Sequence, residues 1–451
     1  MLVRLRRLLR ALSLILLPLL FIHHLAKSWS PVPNRMSTSQ SPHDVASSLL
    51  AEKGLQLQSL KVIQSLWAGY GQICLVTATQ DLPQRTSAQS SRSVSAENSN
   101  VVTPQELQSY VLKLITPPPT RAQDEGHTRK ILSYVRVEQY FYSHLAPQLP
   151  PSVPVAKCLA SINQHHANGT STTAMILSDL KQQYPVAGEK RNVLSSTQVN
   201  AALDWLSGFH GFWWTRLHAL DRGSLIRPPL EEVQKDGDNA AEKTVWLNGG
   251  YTYLATRRTE YASLAADEES EWQLPLTHPF ASQKPSISQM VAMFLAPSSS
   301  GLSPISQFET LIHGDVKSEN LFTSKSGEQV VFYDFQYTGV GLGVCDLAKL
   351  FTCSVPLSML VADRSIPHEL AMQEGEKQLL ERYWKSLKTI GRREYDWTTF
   401  VWHWEIALVD WLRFQASWGF WGNTEWLEAR VRHILNDAAW REALEASTTR
   451  G

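Results

Sequence analysis

Hydrophobic spacing divides the chain into a strand-rich first part and a helix-rich remainder. Val45 to Leu57 reads as a short helix, followed by two strands, Leu60 to Trp67 and Gln72 to Thr79, joined by Ala68-Gly69-Tyr70-Gly71. Asp81 to Asn100 is polar and serine-rich, with too few apolar residues to pack, and is expected to be a disordered insertion. Ser109 to Ile115 reads as a third strand, stopped by Pro117-Pro118-Pro119. Between Arg129 and Leu145, the residues Ile131, Tyr134, Val135, Glu138, Phe141, Tyr142 and Leu145 recur at helical spacing. Val155 to Ser161 and Thr172 to Leu177 read as two more strands. From Thr197 the pattern turns mainly helical: Asn200 to Leu217, a polar loop from Arg222 to Thr244, Phe280 to Leu295, then a linker at Pro297 to Gly301. A short strand pair follows around Asp315 to Asp334, and helices run to the end, with no internal repeats. The expected fold is α+β: residues 45–180 build a small lobe on an antiparallel sheet with one key helix, and residues 181–440 build a mainly helical lobe.

The chemistry concentrates in His313-Gly314-Asp315, Asn320 and Asp334-Phe335-Gln336. Phosphoryl transfer asks for this set: a carboxylate at the attacking hydroxyl, then an amide and a second carboxylate as hard oxygen ligands for Mg²⁺. Val330 to Tyr333 reads as a buried strand that delivers Asp334. Asp315 is the candidate base, and Asn320 and Asp334 are the candidate metal ligands. His313 is read as supporting the loop by hydrogen bonds. Lys317 is placed to neutralise charge on the moving phosphoryl group, with an ordinary exposed lysine as the other reading.

Lys113 sits mid-strand between Leu112 and Leu114, an odd place for an unpaired ammonium. Glu138, on the apolar-striped helix, is the expected partner, and together they form the lysine–glutamate pair that holds ATP phosphates in kinases. The competing reading is a snorkelling lysine and a solvated glutamate. Gly69 and Gly71 suit backbone approach to phosphates, as they would any tight hairpin. Ser178-Asp179-Leu180 falls where the link between lobes should offer backbone groups to adenine; Asp179 itself reads equally as a cap. Asp346, in Val-Cys-Asp-Leu-Ala, is expected to accept hydrogen bonds from the catalytic loop or to act as an N-cap.

Composition narrows the classes. The 451 residues are 43% hydrophobic and 19% charged, enough to bury a sizeable core. Lys+Arg and Asp+Glu are both 42, so nothing supplies the basic field that nucleic acid demands. The four cysteines show no metal or disulfide spacing. Residues 1–35 stand apart: Arg4, Arg6, Arg7 and Arg10 precede an uncharged run from Ala11 to Ile22, too short for a comfortable membrane span. A secretory signal or anchor, a mitochondrial presequence and a start at Met36 all fit this leader. ATP chemistry and unpatterned cysteines favour an intracellular, cytoplasmic protein, with membrane contact confined to residues 1–24.

The ordered set Gly69/Gly71, Lys113, Glu138, Ser178-Asp179-Leu180, His-Gly-Asp-Val-Lys-Ser-Glu-Asn, Asp-Phe-Gln and Cys-Asp-Leu-Ala resembles the aminoglycoside phosphotransferase and choline kinase-like group. It looks closest to the eukaryotic ecdysteroid kinase-like branch, over about residues 55–430. The resemblance implies a protein-kinase-like bilobal fold, ATP and Mg²⁺ as cofactors, and a small-molecule hydroxyl acceptor of the aminoglycoside, choline or sterol kind. In that reading Asp315 is the base, Asn320 and Asp334 hold metal, and Lys113 binds phosphate. Leu247 to Arg258 also looks like a family element, with no role assigned. The alternatives are a catalytically silent nucleotide-binding pseudokinase scaffold and a protein kinase. Gln336 in place of the DFG glycine and the short stretch from Tyr337 to Cys345 argue against the protein kinase. Trp397, Trp402, Trp404, Trp411, Trp418 and Trp421, with Glu405 and Asp410 among them, form either a packed stripe or an aromatic pocket for a cation.

Overall fold

The computed structural model describes residues 41–66, 69–80, 106–117, 125–165, 171–233, 244–279, 284–297, 305–363 and 365–448. The leader, the insertion at 81–100, and Trp67 and Ala68 lie outside them.

Helix α1 (Pro42–Ala51) begins where the Ser41 side chain accepts the Asp44 N–H, with proline in the first turn. It stops before the expected Leu57 because Gly54 turns the chain at φ +67° and Leu55 opens the next strand. Five strands follow: β1 (Leu55–Ser65), β2 (Gly71–Gln80), β3 (Gln108–Ile115), β4 (Cys158–His165) and β5 (Ser171–Ser178). They form one sheet in the order β1-β2-β3-β5-β4, with every pair antiparallel. β4 starts at Cys158 rather than at Val155.

Alternation along β3 sorts its side chains. Leu112 and Leu114 join Val45, Leu49 and Leu50 of α1 in one apolar cluster. Lys113 and Ile115 face the other way, toward the helical rod α2 over 125–145. The expected regular helix is α-helical at Glu125–Ile131 and Glu138–Tyr140, and widens to π turns at Leu132–Val137 and Phe141–Leu145. Such widening often marks a functional helix, and here it brackets Glu138.

Beyond the short β6 (Val186–Ala187), helix α3 (Ser196–Trp214) opens on a Ser195/Gln198 capping box. Helix α4 (Ile287–Leu295) opens on the matching Ser286/Gln289 box, which sets its start at Ile287; Phe280 lies outside the described residues. The expected polar loop at 222–244 contains a short helix, Pro229–Val233. Strand β7 (Glu309–Ile312) pairs with β10 (Gly339–Leu342), and β8 (Leu321–Thr323) pairs with both β6 and β9 (Val330–Phe332). Then come α5 (Val344–Cys353), α6 (Glu374–Gly391), α7 (Trp397–Trp418), α8 (Thr424–Asn436) and α9 (Ala438–Thr448). Phe209 of α3, Leu347 and Phe351 of α5, and Trp404 and Leu408 of α7 belong to one large buried apolar cluster. Phe400, Trp404, Leu408 and Trp411 are buried, as a packed stripe requires, whereas Trp418 is 51% exposed. All four cysteines are free thiols. Among the described residues no helix is long and apolar enough to cross a membrane.

Candidate active site

Asp315 and Asn320 lie on the loop between β7 and β8, and Asp334 follows β9, which pairs with β8 in a tight hairpin. Lys113 Nζ lies 2.5 Å from Glu138 Oε2 and 3.1 Å from Asp334 Oδ1. The lysine and glutamate side chains are only 6% and 2% exposed, so the snorkelling reading is excluded. Burial pulls the ammonium's pKa down, but the charges of Asp334 and Glu138 outweigh it and hold the lysine above its ordinary value. The Tyr134 ring, with its centroid 5.2 Å away, adds a cation–π wall. Tyr134 and Glu138 are one turn apart, so a single face of α2 supplies both.

Asp315 and Asn320 lock together. Asn320 Nδ2 donates to the Asp315 carbonyl at 2.8 Å and to its Oδ2 at 3.0 Å. Lys317 Nζ sits 3.1 Å from the same Oδ2 and 2.9 Å from Glu319 Oε1. It is therefore paired and partly buried rather than an ordinary surface lysine. Burial lowers its pKa, and Asp315, Tyr251 and Glu319 together outweigh that and hold it above its ordinary value.

His313 has both ring nitrogens committed. Nε2 donates to the Tyr333 carbonyl at 2.9 Å, and Nδ1 accepts the Asp315 N–H at 3.2 Å. Burial lowers its pKa, so the ring is neutral and shapes the loop. Asp346 accepts the N–H groups of His313 and Gly314 at 2.7 and 2.9 Å, and His210 Nε2 lies 3.2 Å away. Burial pushes this carboxyl up, but the His210 hydrogen bond and neighbouring positive charge bring it below its usual range. The N-cap of α5 is Gly343, so Asp346 is the loop's clamp and not a cap.

Asp334 holds a left-handed backbone at φ +66°, uncommon for a residue with a side chain and typical of strained functional positions. Phe335 stacks on Phe141 of α2 at 3.8 Å and lies 4.6 Å from the His313 ring, tying the loop to the helix that carries Glu138.

The remaining expected residues divide. Gly69 has φ +74° with open space around it, whereas a Cβ on Gly71 would lie 2.0 Å from the Leu114 carbonyl. Close packing on β3 already demands Gly71. Ser178 and Leu180 lie on the connection out of the sheet: the Ser178 N–H donates to Lys157 O, and Leu180 O accepts from Gln183 and Tyr184. Asp179 caps this turn by accepting the Lys181 N–H at 3.0 Å. Sequence reasoning missed Tyr134, His210 and Tyr251, whose ring centroid is 5.0 Å from that of Tyr337. A face plot of α2 would have found Tyr134; no local signal marks His210.

The model of the ecdysteroid kinase-like family matches residues 93–367. The chain belongs to the ecdysteroid kinase-like family. The span matched by that family holds Lys113, Glu138, the catalytic loop, Asp334 and Asp346, but neither Gly69 and Gly71 nor α7. No curated protein matches the chain. Among solved structures, a macrolide 2'-phosphotransferase, MphH from Brachybacterium faecium, is 14% identical, with 90% of this chain and 99% of that one covered at a TM-score of 0.38. A choline kinase from Cryptosporidium parvum is 8% identical over 88% of each chain at 0.35. A Plasmodium vivax ethanolamine kinase is 12% identical over 93% of this chain and 95% of that one, also at 0.35. Likenesses this distant carry no argument about the ecdysteroid kinase-like chain itself.

Proposed function

We propose that the protein transfers the γ-phosphoryl group of ATP, with Mg²⁺, to a hydroxyl of a small molecule. The observation that carries this reading is the buried ammonium of Lys113, held between Glu138 at 2.5 Å and Asp334 at 3.1 Å. A buried charge triad costs desolvation and is weak support for stability alone; a surplus carboxylate beside it is what a metal–phosphate ligand needs.

The residues fit Mg²⁺. Asn320 spends Nδ2 on Asp315, so its Oδ1 is the atom left to face a cation. Asp334 offers the second hard oxygen. Among the described residues no group of three or more His, Cys, Asp or Glu side chains forms a metal cage. Two protein oxygens suit Mg²⁺, which keeps waters and leans on substrate phosphates. When bound, the ion would neutralise phosphate charge.

Lys113 orients phosphate oxygens from the sheet side. Asp315 accepts the acceptor's hydroxyl proton: its Oδ2 is tethered by Asn320 and Lys317, which turns Oδ1 toward the incoming group. Lys317 balances negative charge beside the base. The reading is tested by following phosphate from ATP into product with a broad alcohol library; MgATP binding with no product would favour the scaffold alternative.

A further inference from the structure

We infer that Arg257 is a specificity residue on the acceptor side, filling an aromatic box that would otherwise receive a cationic alcohol. The acceptor that reaches Asp315 therefore carries no permanent positive charge. The inference rests on the phosphotransferase reading and narrows its substrate class.

The box is built by Tyr251, Phe414 and Trp418. The Arg257 guanidinium carbon lies 4.9 Å from the first ring centroid, 5.5 Å from the second and 5.3 Å from the third. Phe414 and Trp418 stack with an interplanar angle of 16°, and Tyr251 meets Phe414 edge-on at 79°. This is the arrangement that holds quaternary ammonium ligands, but the cation is supplied by the chain. Arg257 is fixed there: Nε donates to the Tyr251 carbonyl at 2.6 Å, and Nη1 donates to Glu260 Oε1 at 3.0 Å. Arg257 is only 3% exposed, while Trp418 is 51% exposed, so the box opens to solvent at Trp418 and is plugged behind it.

The box adjoins the catalytic loop. Gly250, immediately before Tyr251, donates to the Tyr337 carbonyl at 2.9 Å, and a Cβ on it would come within 3.6 Å of the Gly314 carbonyl oxygen. A second guanidinium adds to the positive field: Arg129 Nη1 donates to Thr256 O at 2.8 Å, while its Nε is buried without a hydrogen-bond partner. A trimethylammonium group entering here would meet a like charge within about 5 Å in a partly desolvated site, where repulsion is strong. This also gives a role to the Leu247–Arg258 segment, which delivers both Tyr251 and Arg257.

The test is calorimetric titration of the full chain with tetramethylammonium, which needs no turnover. Wild type is expected to show no binding. Arg257→Met, which removes the guanidinium charge from the box, should bind at least about tenfold more tightly than the weakest affinity the titration detects. Arg257→Gln should gain likewise, because it keeps an amide donor for the Tyr251 carbonyl and preserves folding if the methionine variant does not. Tetramethylammonium binding by wild type, phosphorylation of choline by wild type, or a folded variant with no gain would each overturn the inference. Absence of phosphoryl transfer to every acceptor would count against phosphotransfer alone and leave the binding comparison intact.

Discussion

Gln336 Nε2 donates to Asp334 Oδ2 at 3.1 Å, so the residue standing where protein kinases carry a mobile glycine holds in place the carboxylate proposed as a metal ligand. Its own Oε1 is buried without a partner, which limits what Gln336 adds to stability. Gln336→Leu should therefore leave the melting temperature nearly unchanged. A hydrogen bond to a charged group contributes about 1.5–3 kcal/mol, so the Mg²⁺ concentration for half-maximal activity should rise by roughly tenfold or more. Magnesium titrations of wild type and variant at saturating ATP check this.

Asp346 takes two backbone N–H groups of the catalytic loop and is fully buried. Asp346→Asn offers one acceptor oxygen where two are used, and should cost about 2–4 kcal/mol of stability. Because this carboxyl's pKa is depressed, its contribution is present above the unfolded value and is lost as pH falls through the folded one. Urea unfolding at neutral pH and at about pH 3, below the ordinary aspartate value of about 3.9, should show the wild-type advantage shrinking on acidification.

Gly69 and Gly71 separate two reasons for glycine. Gly71→Ala would drive a methyl group into the Leu114 carbonyl, whereas Gly69→Ala meets nothing and strains only the backbone. The first should cost more than about 2 kcal/mol and the second about 1 kcal/mol, read as melting temperatures.

Much of this was legible because the chemistry is local in sequence. Asp315 and Asn320 share one loop, and the single β8–β9 hairpin carries the chain from Asn320 to Asp334, so their spacing alone implied convergence. Lys113 was legible through strand alternation, since an ammonium between Leu112 and Leu114 needs a partner. The helix starting at Ile287 was misplaced although Ser286 and Gln289 spell out its cap. The π turns around Glu138 were not legible, because widening depends on what α2 packs against. Nor was the filling of the aromatic box: Tyr251, Arg257, Phe414 and Trp418 come from two distant segments, and only the fold sets them side by side.

His403 is buried in α7, hydrogen-bonded to the Tyr395 hydroxyl, and burial pushes its pKa down to about 4. Below the ordinary histidine value the unfolded chain takes up a proton that the folded chain refuses, so stability rises with pH between about 4 and 6.5. Acidifying from pH 7 to 5 should cost about 2 kcal/mol through this residue. His403→Gln keeps a partner for Tyr395, and the difference in pH slope between it and wild type isolates the effect from other titrating groups.

The most direct measurement is label transfer from γ-labelled ATP into a small-molecule extract by wild type and Asp315→Asn, with MgATP binding followed in parallel. Wild type should produce a labelled phosphate ester, and Asp315→Asn should lose at least about a hundredfold of that rate while still binding MgATP. Equal labelling by the two proteins, or none by wild type across the extract, would contradict the account.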